Sequence, residues 1–144
     1  MTEQDNIQFA RQAIAAINAH NLDAYVALID ESYVGGSEMN GVVRGREDAR
    51  GAMATMFQAF PDLRLEVEEM IASGDHVVIR ALLTGTHKGT LAGGIAPTNK
   101  KVTWSGCNVV QIRNGKTIRS RVYADNVSIL RQIGVLPMPK ATTA

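Results

Sequence analysis

Residues 104–137 read WSGCNVVQIRNGKTIRSRVYADNVSILRQIGVLP, and this stretch decides the fold. Its centre is Asn114-Gly115, flanked on both sides by β-rich runs. An Asn-Gly pair in that setting predicts a two-residue hairpin, because a type I′ turn requires positive φ at both central positions. With those residues at the turn, Arg113 faces Lys116, Ile112 meets Thr117, Val110 meets Arg119, Asn108 meets Arg121, and Trp104 ends near Asp125. Side chains alternate faces along a strand. One face is then the more apolar, carrying Cys107, Val109, Ile118, Val122 and Ala124 with Ser105, Gln111 and Ser120. The other carries Trp104, Asn108, Val110, Arg119, Arg121, Tyr123 and Asp125, a mixture that suits solvent or a polar-lined pocket. A bulge would flip part of this assignment. Beyond the second strand, Val127, Ile129, Leu130 and Ile133 predict a closing helix from about Asn126 to Ile133. Gly134 supplies a common C-terminal cap residue, with Pro137 shortly beyond.

Working outward, the chain of 144 residues has the size of one domain. We expect that domain to span 1–138, with 139–144 as a loose tail. Hydrophobic residues make up 45 % and charged residues 20 %, which excludes intrinsic disorder. The net charge of +1 gives no electrostatic case for nucleic acid or an anionic membrane. No apolar run approaches the roughly 20 residues of a membrane helix. The opening MTEQDNIQ has neither the basic nor the apolar segment of a secretory leader, so a cytoplasmic protein is expected. The single cysteine, Cys107, has no internal disulfide partner and reads as a small buried hydrophobe. No pair of histidines or cysteines has metal-ligand spacing, so no metal is expected.

Towards the N-terminus, Ile7, Ala10, Ile14 and Ile17 recur at helical spacing and predict a helix from about Glu3 to Ala19, with Thr2 and Asp5 as its start signal. A short helix from Leu22 to about Ile29 follows, then a short strand at Ser32-Tyr33-Val34. Arg46 to Phe60 predicts a third helix, stopped by Pro61. Its stripe of Met53, Met56, Phe57 and Phe60 suits a core, or the lid of a cavity. From Leu63 the period changes to that of strands. His76 to Thr86 is a long strand interrupted by Arg80, whose guanidinium suits either a structural ion pair or a pocket. His87 closes that strand, and a lone histidine there is more often structural or exposed. His87-Lys88-Gly89 leads into a glycine-rich loop, Leu91 to Pro97, without phosphate-binding spacing. Helices followed by a run of strands give an α+β protein, and a curved sheet around them leaves a concave face for a small-molecule pocket.

The strings FPDLRLEVEEMIASGDHVVIR at 60–80, TGTHKGTLAGG at 84–94, RNGKTIRSRVYADN at 113–126 and ILRQIGVLP at 129–137 resemble the SnoaL-like polyketide cyclases of the nuclear-transport-factor-2-like (NTF2-like) superfamily. That resemblance implies a cone with a curved, mixed sheet wrapped around three N-terminal helices. It also implies a cofactor-free enzyme, a small-molecule carbonyl substrate and a homodimer. In such cyclases an aspartate at the end of the last strand is the general acid/base of an aldol-type closure, and Asp125 matches that position. The adjacent strand lacks the family's partner histidine, with Asn108 or Gln111 in its region. Arg119 and Arg121 stand where many relatives carry an acidic residue and a tryptophan. Epoxide hydrolases of the same fold use a carboxylate pair and an arginine, and hydroxylase relatives exist. A non-catalytic binding or dimerisation domain is a further reading. Asp125 is accordingly the candidate catalyst, with the competing reading that it caps the closing helix. Arg121, Tyr123, Trp104, Asn108, Arg119, Arg80, His87, Phe57, Met56 and Tyr33 are the candidate binding residues. The apolar hairpin face is the expected dimer interface.

Overall fold

The computed structural model describes residues 1–139; most of the expected loose tail, 140–144, lies outside them. Helix α1 (Glu3–Asn18) opens with the expected signal, a capping box in which Thr2 Oγ1 accepts from the Asp5 amide and Asp5 accepts from the Thr2 amide. Helix α2 (Leu22–Ala27) is capped by Asn21, whose side chain accepts from the Ala24 amide. Strands β1 (Ile29–Ser37) and β2 (Gly41–Arg44) form a hairpin ahead of α3 (Gly45–Ala59), which stops before Pro61. Strands β3 (Arg64–Ser73), β4 (His76–Thr86), β5 (Lys101–Arg113) and β6 (Lys116–Ala124) follow, and α4 (Asn126–Gln132) closes the described chain.

All six strands form one sheet in the order β2-β1-β6-β5-β4-β3. Every neighbouring pair is antiparallel except β1 with β6, which run parallel. This parallel pairing explains why β1 is longer than the expected 32–34: β6, far away in sequence, supplies its hydrogen-bond partners. The concave face of the sheet receives α1. Phe9, Ala10 and Ile14 pack there against Val77, Ile79, Val110 and Ile112. A second core lies under α4, where Ile129 and Ile133 meet Trp104, Phe60 and Leu63. Leu91 of the glycine-rich loop is buried in that same cluster.

The hairpin turn forms as expected, with Asn114 at φ 51° and Gly115 at φ 71°. Its register does not continue as expected. Ile112 pairs with Thr117, but Gln111 pairs with Arg119, so Ile118 is an extra residue on β6. This is a β-bulge, and it shifts every later pair by one. Asn108 faces Val122 rather than Arg121, and Val110 faces Ser120 rather than Arg119. The β5 half of the face assignment therefore stands, while the β6 half is inverted. Ser120 and Val122 look into the concave face; Arg119, Arg121 and Tyr123 look away from it.

Candidate functional site

A cavity of about 240 Å³ lies between the concave face of the sheet and the three N-terminal helices. Helix α1 lends Phe9, Ile14 and Ile17 to its wall, and α3 lends Met53 and Met56. The sheet lends Ile79, Asn108, Val110, Ser120 and Val122. Tyr25 and Tyr33 close the side nearest α2 and β1. No Asp, Glu, Lys, Arg or His belongs to this wall among the described residues.

The polar groups of the wall are neutral and few. Tyr33 is buried, and its hydroxyl lies 2.6 Å from Ser120 Oγ. Burial raises the Tyr33 phenol above its ordinary value of 10, with the Ser120 contact opposing. Burial, helped by the neighbouring Tyr33, raises Tyr25 further. Both phenols are therefore protonated donors at neutral pH. Gly35 makes the Tyr33 placement possible: a Cβ there would sit 2.0 Å from the Tyr33 hydroxyl. The ring folds back over a residue with no side chain. Asn108 stands in mid-strand, and its Oδ1 is buried without a hydrogen-bond partner among the described residues.

Of the residues singled out in the sequence, Tyr33, Met56 and Asn108 meet at this cavity. The others are elsewhere. Asp125 is exposed, and its carboxylate accepts from the Ser128 amide at 3.0 Å as the N-cap of α4. It does not line the cavity, so the expected inward-facing carboxylate is replaced by a helix cap. Arg119, Arg121 and Tyr123 border a shallow depression on the outer face, because the bulge at Ile118 turns them there. Tyr123 is 57 % exposed, and Arg121 pairs with Glu38. Arg80 is also on the outer face, 3.3 Å from Glu68 and 3.8 Å from Glu69, which is the ion-pair alternative rather than the pocket one.

Three aromatic candidates are structural. Trp104 is buried beside Phe60, with ring centroids 4.9 Å apart, and is separate from the cavity wall. Phe57 stacks on His20 at 4.2 Å, outside the wall. His87 is 0 % exposed; its Nδ1 lies 2.9 Å from Thr98 Oγ1, and Phe60 packs near its ring. Cys107 is half-buried rather than buried. Val122, expected on the outer face, lines the cavity instead. The carboxylate pair with arginine that epoxide hydrolysis would use is not found in the wall among the described residues.

Sequence reasoning missed Ser120 and Tyr25 as wall residues, while Met53 lies in the wall as the cavity-lid reading of the α3 stripe allowed. Ser120 was out of reach because a hairpin's bulge is invisible in its residue types. The adjacent Gly35-Gly36 was a usable signal for Tyr33, since a glycine two residues after an aromatic in a strand leaves room for the ring.

A curved, unclosed sheet cupping helices around a small-molecule cavity defines the NTF2-like or ketosteroid isomerase-like class of α+β folds. Within that class, the model of the SnoaL-like polyketide cyclases matches residues 7–133, and the chain belongs to that family. Among solved structures, AclR, a proposed hydroxylase from Streptomyces galilaeus, aligns with a TM-score of 0.85 at 27 % identity. The alignment covers 96 % of this chain and 87 % of that one. IdmH, a proposed polyketide cyclase from Streptomyces antibioticus, aligns with a TM-score of 0.76 at 25 % identity over 93 % of this chain and 99 % of that one. A protein with a ketosteroid isomerase-like fold from Catenulispora acidiphila shares the fold with a TM-score of 0.76 at 20 % identity, over 88 % of this chain and 92 % of that one. No curated protein matches the sequence. No helix among the described residues is long and apolar enough to cross a membrane.

Proposed function

We propose that the cavity binds a small, uncharged, mainly apolar carbonyl compound and holds it folded for a cofactor-independent, aldol-type ring closure. In that step a C–C bond forms as an α-carbon C–H bond breaks, and the proton ends on the oxygen of the attacked carbonyl, with no co-reactant consumed. The observation that carries this reading is the chemistry of the wall. It is apolar and without charge among the described residues, yet it presents the paired hydroxyls of Tyr33 and Ser120. A protonated phenol in a poorly hydrated site donates to a carbonyl oxygen and stabilises negative charge that develops on it. A closely fitting apolar wall restricts a flexible chain to compact conformers, which lowers the entropic part of the barrier. Membership of a cyclase family supports the same reaction class. The acid/base role that the resemblance implies for Asp125 is not favoured by this geometry, because that carboxylate caps α4.

The test is calorimetric titration with 1-tetralone and with its carboxylate-bearing analogue. The neutral ketone should bind and the anion should not, and Tyr33→Phe should weaken ketone binding roughly tenfold, the worth of one buried hydrogen bond. Tighter binding of the anion would reject the reading. A second reading, hydroxylation of the same class of compound, is supported by the likeness to AclR. Labelled oxygen from O₂ appearing in the product would favour it.

We also propose that the protein works in the cytoplasm as a homodimer joined through the outer face. The bulge makes that face more polar than the sequence suggests, but Val34, Val42, Val109 and Tyr123 still border its depression. Sedimentation showing only monomer at micromolar concentration would count against this.

A further inference from the structure

Tyr25 sits in the middle of α2, packed beside Tyr33, Val43 and Ala49, and is part of the cavity wall. Three observations locate its hydroxyl. The Tyr33 hydroxyl has a partner in Ser120, whereas that of Tyr25 has none among the described residues. The side-chain atoms there that lack both a partner and accessible surface are Asn6 Oδ1, His87 Nε2, Asn108 Oδ1 and Arg131 Nε. The Tyr25 oxygen is not one of them, so it can be reached. Burial, helped by Tyr33, raises its phenol, so the oxygen does not stand in bulk water. An oxygen that is unpaired, reachable and poorly hydrated faces the cavity its residue lines.

The helix that carries it is pinned at both ends. Asn21 caps its start, the Leu28 carbonyl accepts from the Thr117 amide at 2.9 Å, and Lys116 Nζ donates to the Ala27 carbonyl. A donor on a fixed mount loses little freedom when a ligand arrives. The protons can be counted. Tyr33 and Ser120 hold two between them, and the bond joining them uses one, which leaves one to donate. Tyr25 adds another that no protein group takes up. A carbonyl oxygen has two lone pairs to receive them.

We propose that Tyr25 is a ligand-binding residue of the cavity, donating a hydrogen bond to a ligand carbonyl oxygen whose other lone pair meets the Tyr33–Ser120 pair. This inference rests on the cavity being the ligand site and adds the group that orients the ligand there. Two neutral donors on one oxygen also stabilise negative charge developing on it.

The test uses 1-tetralone labelled with carbon-13 at its carbonyl, and tetralin, which has the same rings and no oxygen. Tyr25→Phe should bind tetralone about tenfold more weakly, the worth of one buried hydrogen bond, and tetralin as wild type does. The infrared carbonyl stretch of bound tetralone should lie at lower frequency in wild-type protein than in Tyr25→Phe. Without ligand the variant should melt no lower than wild type, because the hydroxyl it loses has no protein partner. Unchanged tetralone affinity and stretch, or an equal loss for tetralin, would overturn the proposal. So would a wild-type stretch at the value found in hexane, a result that needs no variant to fold. If tetralone binds wild type and Tyr25→Phe alike, only the role of Tyr25 falls. If it binds neither, the cavity reading falls and takes this one with it.

Discussion

Replacing Asp125 separates the two roles open to it, because a cap and a catalyst respond to different substitutions. The carboxylate makes one hydrogen bond, to the Ser128 amide, at the start of a seven-residue helix. Loss of a side-chain cap costs about 1 kcal/mol. The side chain is exposed, so the attraction of its charge for the helix N-terminus is screened and adds little. The loss is transmitted inward, since Ile129 and Ile133 are each 3 % exposed and pack with Trp104 and Phe60. For a domain of this size, 1 kcal/mol corresponds to a fall of about 3 °C in Tm. Asp125→Ala should show that fall in a thermal melt followed by circular dichroism. Asp125→Ser and Asp125→Asn keep a capping oxygen and should melt within about 1 °C of wild type. All three should bind 1-tetralone as wild type does. The reasoning is refuted if Asp125→Asn keeps its Tm but loses ligand binding or turnover, since that result requires the carboxylate's charge rather than its oxygen.

Other consequences follow from single contacts. Gly35→Ala places a Cβ 2.0 Å from the Tyr33 hydroxyl and 3.0 Å from the Ser120 carbonyl oxygen. It should destabilise by about 1–3 kcal/mol and weaken ketone binding, because Tyr33 must leave Ser120; unchanged affinity would show that the hydroxyl pair does not hold the ligand. Phe60→Ala removes the ring that packs against both Trp104 and His87 and should cost about 3–5 kcal/mol in urea unfolding, with a loss under 1 kcal/mol as the contrary result. Asp62 accepts from the Thr86 amide at 2.6 Å and the Thr86 hydroxyl at 2.7 Å, which holds its carboxyl below the ordinary 3.8. A depressed folded pKa stabilises above the unfolded value and is lost as pH falls through the folded one. Asp62→Asn should therefore be less stable than wild type at neutral pH, with a gap that is constant down to about pH 5 and closes below about pH 4. A gap independent of pH would point to lost hydrogen bonds without a contribution from charge.

The hairpin at Asn114-Gly115, the helix stop at Pro61, the capping box at Thr2 and Asp5 and the end of α4 at Gly134 were all legible in the residues, as was the family. Each of these signals is local: the residues that carry it lie within one turn of the feature they produce. The α+β class followed from the order of the elements. The candidate site was legible only in part, and the misplacement of Arg119, Arg121 and Tyr123 traces to one residue. Ile118 inserts into β6, and side chains alternate with a period of two, so one insertion exchanges the faces of everything from Arg119 to Tyr123.

The sequence by itself thus determined where elements begin, end and turn, because capping, proline geometry and positive φ act over a few bonds. Only the tertiary structure decided which side chains share the cavity. The bulge and the parallel pairing of β1 with β6 depend on partners distant in the chain. They turn a serine and a valine inward, and two arginines and a tyrosine out. Asp125 is left at a helix start, where its carboxylate accepts from the Ser128 amide.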